Sequence, residues 1–230
     1  FLPEFGRRSV EWRAFRELGS TLEEISSPEA QVQVGGGLWV IRRSDFSFRG
    51  VIPMPALDPD GTFGVALQEG WNIIADPFDR PVSVAQVKLK NGSFTQPLLK
   101  FEFGSFIQEK DSLRPFTGYY LEKKNLSSIL KIPYPFDNTT AQAVSSTFRK
   151  PEWQIQLLLS NSFGEDSENY IGVASQASFQ EDEYDYHKPP RMFDLIDLCF
   201  PRPDWDPELP RFGADFRPTV GEGQSWEFEV

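Results

Sequence analysis

The chain has one cysteine, one histidine and two methionines in 230 residues. A single cysteine forbids an internal disulfide, a cysteine-rich zinc site and a CxxC redox pair. The single histidine, His187, cannot supply a multi-histidine metal site, and any Ser-His-Asp or Cys-His mechanism would have to run through it. No Gly-x-Ser-x-Gly or comparable nucleophile signature is present. No apolar run approaches the roughly 18 residues that cross a bilayer, so no transmembrane segment is expected. The opening Phe1-Leu2-Pro3-Glu4 has neither an initiator methionine nor the pattern of a signal peptide, which predicts a processed chain or a piece of a longer one. A net charge of −11 and a pI near 4.7 set the chain against phosphate backbones, so no nucleic acid is expected as a partner.

What is present is enough for a core: 39% hydrophobic and 14% aromatic residues, with 21 phenylalanines. Nineteen prolines and seventeen glycines interrupt the chain too often for long helices and favour strands joined by turns. The acidity is unevenly placed. Residues 1–150 carry 18 Lys or Arg against 17 Asp or Glu, whereas residues 151–230 carry 5 against 17. The change falls beside the polar stretch 138–148, which reads as a linker between a domain at 1–148 and an acidic domain at 149–230.

The first domain contains an internal repeat, with copies at about 1–66 and 67–137. In the first, Trp12-Arg13-Ala14-Phe15-Arg16 turns at Gly19-Ser20 into a strand at 22–25, followed by Gly36-Gly37-Leu38-Trp39-Val40-Ile41 and a closing segment at 46–52. In the second, Leu99-Lys100-Phe101-Glu102-Phe103 turns at Gly104-Ser105 into Phe106-Ile107-Gln108, and Thr117 to Glu122 and Ile129 to Ile132 follow. Both copies alternate apolar and polar residues with period two, as half-buried antiparallel strands do. The second copy opens with an extra strand at 67–78. The first copy lacks its equivalent, which places that strand upstream of residue 1 and predicts an open or externally paired edge.

The segment Gly70-Trp71-Asn72-Ile73-Ile74-Ala75-Asp76-Pro77-Phe78 resembles the GWN…NPF opening of secreted multidomain proteins of Bacteroidetes and related phyla. Leu113-Arg114-Pro115-Phe116-Thr117-Gly118-Tyr119-Tyr120 is similar to their L-x-P-W-x-G-Y-W segment. Trp12 to Phe15 and Gly36 to Ile41 are similar to the W-R-L-F-R and G-Y-W-L-I elements of a preceding copy. Glu152 to Leu157, Asn169 to Ala174, Asp215-Phe216-Arg217 and Trp226 to Val230 also fit this C-terminal β-rich region, which commonly precedes the Ig-like and sorting domains of type IX secretion. The resemblance implies export to an extracellular or outer cell-surface location. It implies no reaction, because the motif residues are those that shape strands and turns.

In the last domain Trp153, Ile155, Leu157 and Leu159 alternate along one strand. Further strands are expected around Ile171 and Val173, at 193–200 and at 226–230, together a β-sandwich or jelly roll. Glu181, Asp182, Glu183 and Asp185, with Glu165, Asp166, Glu168 and Asn169 upstream, offer the oxygen ligands that calcium prefers. Their spacing is not that of an EF-hand, and a solvated acidic loop is the competing reading. Trp205, in the proline-rich loop Arg202 to Pro207, reads as an exposed loop aromatic. With Tyr184 and Tyr186 it would form a sugar-stacking surface, whereas Trp12, Trp39, Trp71, Trp153 and Trp226 read as core.

His187-Lys188-Pro189-Pro190-Arg191 reads as an extended surface connector, Cys199 as a small buried hydrophobe, and the Asn-x-Ser/Thr sequences at Asn91, Asn125 and Asn138 as turns. Paired carboxylates such as Asp204 and Asp206 carry no weight as a glycosidase pair among 34 acidic residues. The expectation is an all-β protein: a tandem antiparallel β-repeat domain, then a β-sandwich or jelly-roll-like domain. It would serve as a non-catalytic structural or assembly module, free of obligatory cofactors, whose partners are neighbouring chains of a surface assembly or other domains of its own precursor. The alternative is a carbohydrate-binding module appended to a secreted hydrolase.

Overall fold

The computed structural model describes residues 7–18, 21–26, 32–45, 53–94, 96–136, 150–190, 196–219 and 223–230. The chain is nearly all β. In order, the strands are β1 (Trp12–Leu18), β2 (Thr21–Glu24), β3 (Trp39–Arg42), β4 (Thr62–Ala66), β5 (Trp71–Ala75) and β6 (Val82–Ser83), followed by the helix α1 (Val84–Lys90). Then come β7 (Leu98–Glu102), β8 (Ser105–Glu109), β9 (Ser112–Leu113), β10 (Gly118–Glu122) and β11 (Ile129–Pro133). The last are β12 (Trp153–Asn161), β13 (Gly164–Val173), β14 (Tyr186–His187), β15 (Phe200–Pro201) and β16 (Arg211–Arg217). Two compact units divide the chain: 1–94 with 109–144, and 95–108 with 145–230.

In the first unit β1 lies between β2 and β3, both antiparallel to it, so that among the described residues β2 and β3 are the edges of this sheet. The strands β5 and β10 pair antiparallel, as do β4 with β11 and β6 with β9. The segment read as the closing element of the first copy, 46–52, lies outside the described residues, as does the linker 138–148.

The motif residues of this unit build turns and core. Gly70 takes a φ of 76°. The Asn72 amide accepts the Gln68 N–H at 2.8 Å and donates to the carbonyls of Gln68 and Gly70, each at 2.9 Å, while Trp71 is almost wholly buried. Asp76 caps its own turn by accepting the Phe78 N–H at 2.9 Å. The Tyr119 hydroxyl accepts the Arg114 N–H at 2.8 Å and donates to the Ser112 carbonyl at 3.3 Å.

The helix was not legible in the sequence. Its only buried side chains are Val84 and Val87, one i,i+3 pair of β-branched residues, which is as compatible with a strand. Asn91, read as a turn residue, has a larger part. Its side chain donates to the Val87 carbonyl at 2.7 Å and the Lys131 carbonyl at 2.8 Å and accepts the Lys131 N–H at 2.9 Å, joining the helix end to β11. Replacing Asn91 by alanine strands two backbone groups of Lys131, and a loss of about 1–3 kcal/mol in urea unfolding is expected. A variant as stable as wild type would remove this role.

In the second unit β7 and β8 are neighbours, and a larger sheet runs in the order β12, β13, β16, β14, with β15 also on β16. The pair β13–β16 is parallel and the others are antiparallel. Phe200 and Phe212 are fully buried with Leu198, and Leu157, Leu159, Ile171 and Trp205 pack around them. Gly172 is required at the β13–β16 contact, since a Cβ there would meet the Trp153 carbonyl oxygen and the Phe216 ring at 2.5 Å.

Three expectations need correction here. Trp153 and Ile155 are not core residues but 43% and 50% exposed, because the apolar side of β12 extends past the cluster that covers Leu157 and Leu159. Of the strand expected at 193–200, residues 193–195 lie outside the described residues and only Phe200 enters a strand. The expected closing strand at 226–230 reduces to one antiparallel bridge between Cys199 and Glu229. Trp226 is held elsewhere: its indole N–H donates to the Asp215 carbonyl at 3.0 Å, Arg217 lies 4.9 Å from its ring centre, and Trp153 packs edge-on at 5.8 Å.

Candidate functional site

The richest chemistry lies inside the second unit, where an open depression enclosing about 510 Å³, solvent included, has Phe101, Phe106, Tyr186, Pro189 and Pro190 among its walls. Lys188 lies at its polar end. Alternation along β13 turns Asp166 inward, and the chain leaving β14 brings Lys188 opposite it. The Lys188 ammonium donates to Asp166 Oδ2 at 2.5 Å and stands 3.4 Å from Asp197 Oδ1, with the Lys188 and Asp166 side chains 7% and 8% exposed. The Leu198 N–H donates to the same Asp166 oxygen at 2.6 Å, and Arg211 on β16 pairs with Asp197. Burial pushes the Lys188 ammonium below its usual range, against the pull of Asp166.

The reading of 187–191 as a surface connector is therefore wrong for its described part. His187 is 2% exposed, its ring 4.2 Å from that of Phe212, with Nε2 at 3.8 Å from a Glu181 oxygen and 3.6 Å from an Asp206 oxygen. Arg191 lies outside the described residues. The antiparallel contact of β14 with β16 turns this end of the segment inward despite its polarity.

The proposed calcium ligands do not converge. The Asp182 carboxylate accepts the N–H groups of Ser178 at 2.6 Å and Tyr184 at 2.9 Å, and Asp185 accepts those of Asp182 at 3.0 Å and Phe216 at 2.9 Å. Glu181 faces His187, and Glu183 is exposed. Among the described residues no three His, Cys, Asp or Glu side chains gather into a group able to hold a metal ion. Glu165, Asp166, Glu168 and Asn169, read as further oxygen ligands, lie on β13.

The three aromatic candidates are likewise tied into the unit. Trp205 is not a free loop aromatic: its indole N–H donates to the Phe179 carbonyl at 3.0 Å, its ring packs edge-on to Phe212 at 5.1 Å, and Arg202 stacks over it at 3.4 Å. Tyr184 packs against Phe216 and the alanines 174, 177 and 214. Tyr186 lines the depression, but its hydroxyl is committed to the Glu168 carbonyl at 2.7 Å.

A second buried charge cluster holds the far end of β16. Asp215, 1% exposed, receives Arg202 at 3.0 Å and Arg217 at 2.9 Å. Each arginine also stacks on a tryptophan, so the order Trp205, Arg202, Asp215, Arg217, Trp226 forms a ladder.

Three carboxyls are pushed up to about 7, mainly by burial: Asp185 in the second unit, and Glu17 and Asp76 in the first. Glu17 accepts the Tyr120 hydroxyl at 3.0 Å, which itself accepts the Trp39 indole N–H at 2.7 Å. A carboxyl whose folded pKa is raised binds its proton more tightly when folded. Its stabilisation is full below the unfolded pKa near 4 and is lost as pH rises through about 7. For Asp185 the slope is at most about 1.4 kcal/mol per pH unit across that window. Thermal melts between pH 5 and pH 8 are expected to fall with rising pH, and Asp185→Asn to flatten the fall. An unchanged slope in the variant would refute the assignment.

No protein-family model, curated protein or solved structure matches the chain. Among the described residues no helix is long and apolar enough to cross a membrane. Sequence reasoning missed Lys188, Asp197 and Arg211 and misplaced Asp166. The available signal was the inward parity of Asp166 on β13.

Proposed function

We propose that this chain is a non-catalytic β-rich assembly module of an exported protein, working at the outer cell surface or outside the cell. The observation that carries the reading is the edge of the second unit's sheet. The strand β12 is nine residues long, and among the described residues its one strand neighbour is β13. It leaves Trp153, Ile155 and Leu158 43%, 50% and 57% exposed, and Phe163 in the following turn is 86% exposed. Long edge strands with exposed apolar side chains pair with further strands unless charge, proline or a bulge blocks them. Here the one irregularity, between Leu157 and Leu159, leaves the end at 153–156 regular.

The resemblance of the Gly70-Trp71-Asn72 and Asp76-Pro77-Phe78 segments to surface-exported proteins agrees with this role, since those residues make turns and core rather than a reactive site. The partner we propose for the β12 edge is a strand of a neighbouring module, and a second copy of this chain is the form that can be measured directly. Ile155→Lys places a charge on the edge at a side chain that is 50% exposed. Sedimentation velocity over a concentration series is expected to show reversible self-association in the wild type and loss of it in the variant. A wild-type chain that stays monomeric throughout contradicts the reading.

A further inference from the structure

We infer that Lys188 and Asp166 are joined, in the mature fold, by an amide bond between the lysine Nζ and the aspartate Cγ that the folded unit forms by itself. The inference goes beyond the assembly reading and does not rest on it. Three geometric features carry it. The nucleophile and the carboxyl are in direct contact, Nζ to Oδ2 at 2.5 Å, with both side chains more than nine-tenths buried. A backbone donor, the Leu198 N–H, holds Oδ2 from 2.6 Å and so fixes the orientation of the Asp166 carboxyl beside Nζ. A second carboxylate, Asp197, stands 3.4 Å from Nζ with its other oxygen engaged by Arg211, so it is placed to accept a proton from the attacking nitrogen.

The step balances without any co-reactant. Proton transfer from the ammonium to Asp166 gives a neutral amine beside a neutral carboxyl, a redistribution that burial favours over two separated charges. The amine lone pair attacks Cγ, forming the C–N bond, while the C=O electron pair moves onto Oδ1 and Oδ2 remains the hydroxyl that received the first proton. Asp197 takes the proton from nitrogen and returns it to the hydroxyl on Cγ. The C–O bond breaks, water leaves, and an amide remains with nothing oxidised or reduced. Holding the two groups in contact supplies the effective concentration that the same condensation lacks in water. The depression lined by Phe101, Phe106 and Pro190 gives the water a way out.

Burial holds the Lys188 ammonium below its usual range, which increases the fraction in the nucleophilic form. The groups around it are Asp166 on β13, Asp197 and Cys199 before β15, and Arg211 on β16. The bond would close a 22-residue separation in sequence and tie β13 to the chain leaving β14. It would supply the permanent cross-link that a chain with one cysteine cannot obtain from a disulfide.

The test is the intact mass of the purified full chain, denatured and reduced. The expected result is a mass lower than the sequence mass by one water, with the loss in the tryptic peptide spanning 150–191. Glu-C digestion within that peptide should then leave the fragments containing Asp166 and Lys188 joined. Lys188→Arg, with its fold checked by circular dichroism, is expected to keep the full mass. Asp197→Asn, which retains both reacting groups, is expected to show at least a tenfold slower loss of water after refolding. An aspartimide at Asp60-Gly61 would also lose water, but it would persist in Lys188→Arg and leave the Glu-C fragments separate. That outcome, or a full sequence mass in correctly folded wild type, overturns the inference.

Discussion

Replacing Asp166 by alanine is expected to destabilise the second unit by about 3–5 kcal/mol, the range for leaving a buried charge without its partner. The loss arises mostly from what is left behind. Lys188, 7% exposed at its side chain, would keep its charge with Asp197 3.4 Å away and already engaged by Arg211, and the Leu198 N–H would lose its acceptor. The double variant Asp166→Ala with Lys188→Met removes the stranded charge together with its partner. It is expected to recover more than about 1 kcal/mol over the single variant. With the proposed amide formed, wild type should stay above this double variant, which lacks both groups that would make it. Equilibrium urea unfolding of the four chains of this cycle measures both terms. A double variant as stable as wild type would leave the cluster as an ion pair and nothing more, and a harmless single variant would remove even that.

Phe212→Ala should cost a similar amount, about 3–5 kcal/mol, for a different reason. Phe212 is fully buried at the crossing of three contacts: the His187 ring at 4.2 Å, the Trp205 edge at 5.1 Å and the cluster of Leu198 and Phe200. Its strand, β16, is the hub of the sheet and pairs with β13, β14 and β15, so the cavity cannot close by a local shift without moving several strands. Against the 5–15 kcal/mol that typically separates folded from unfolded domains, such a loss is large. The readout is thermal unfolding followed by near-ultraviolet circular dichroism, which reports Trp205 and Tyr186 in this unit. An unchanged midpoint would show that Phe212 does not organise the core.

The all-β character was legible because it rests on local signals: period-two alternation, abundant turn residues and few helix-length segments. The strands at Trp12, Leu99, Gly118 and Ile129 fall where the sequence placed them, although β10 buries the consecutive side chains Tyr119 to Glu122 and not one face alone. The failures share a cause, because each depended on which other strand lies opposite. Ile155 alternates as correctly as Leu157, yet Leu157 packs against the Phe212 cluster while Ile155 is 50% exposed. His187 and Lys188 lie in a polar, proline-rich sequence that reads as solvated, and only the pairing of β14 with β16 and the carboxylate of Asp166 make their burial tolerable. The acidic stretch at 181–185 was recognised and weighed between calcium ligation and a solvated loop, whereas oxygens of Asp182 and Asp185 accept the backbone N–H groups of Ser178, Tyr184 and Phe216. Side-chain capping of loops leaves the same acidic signature in a sequence as metal ligation does.

The proposed surface assembly rests on β12, the longest edge strand among the described residues, which keeps apolar side chains in solvent. The most direct test of that account is amide hydrogen exchange along β12 as the protein concentration is raised. Protection is expected to rise across 153–158 with concentration in the wild type and to stay at its dilute value in Ile155→Lys. Exchange at 153–158 that does not change with concentration in the wild type would contradict an assembling edge.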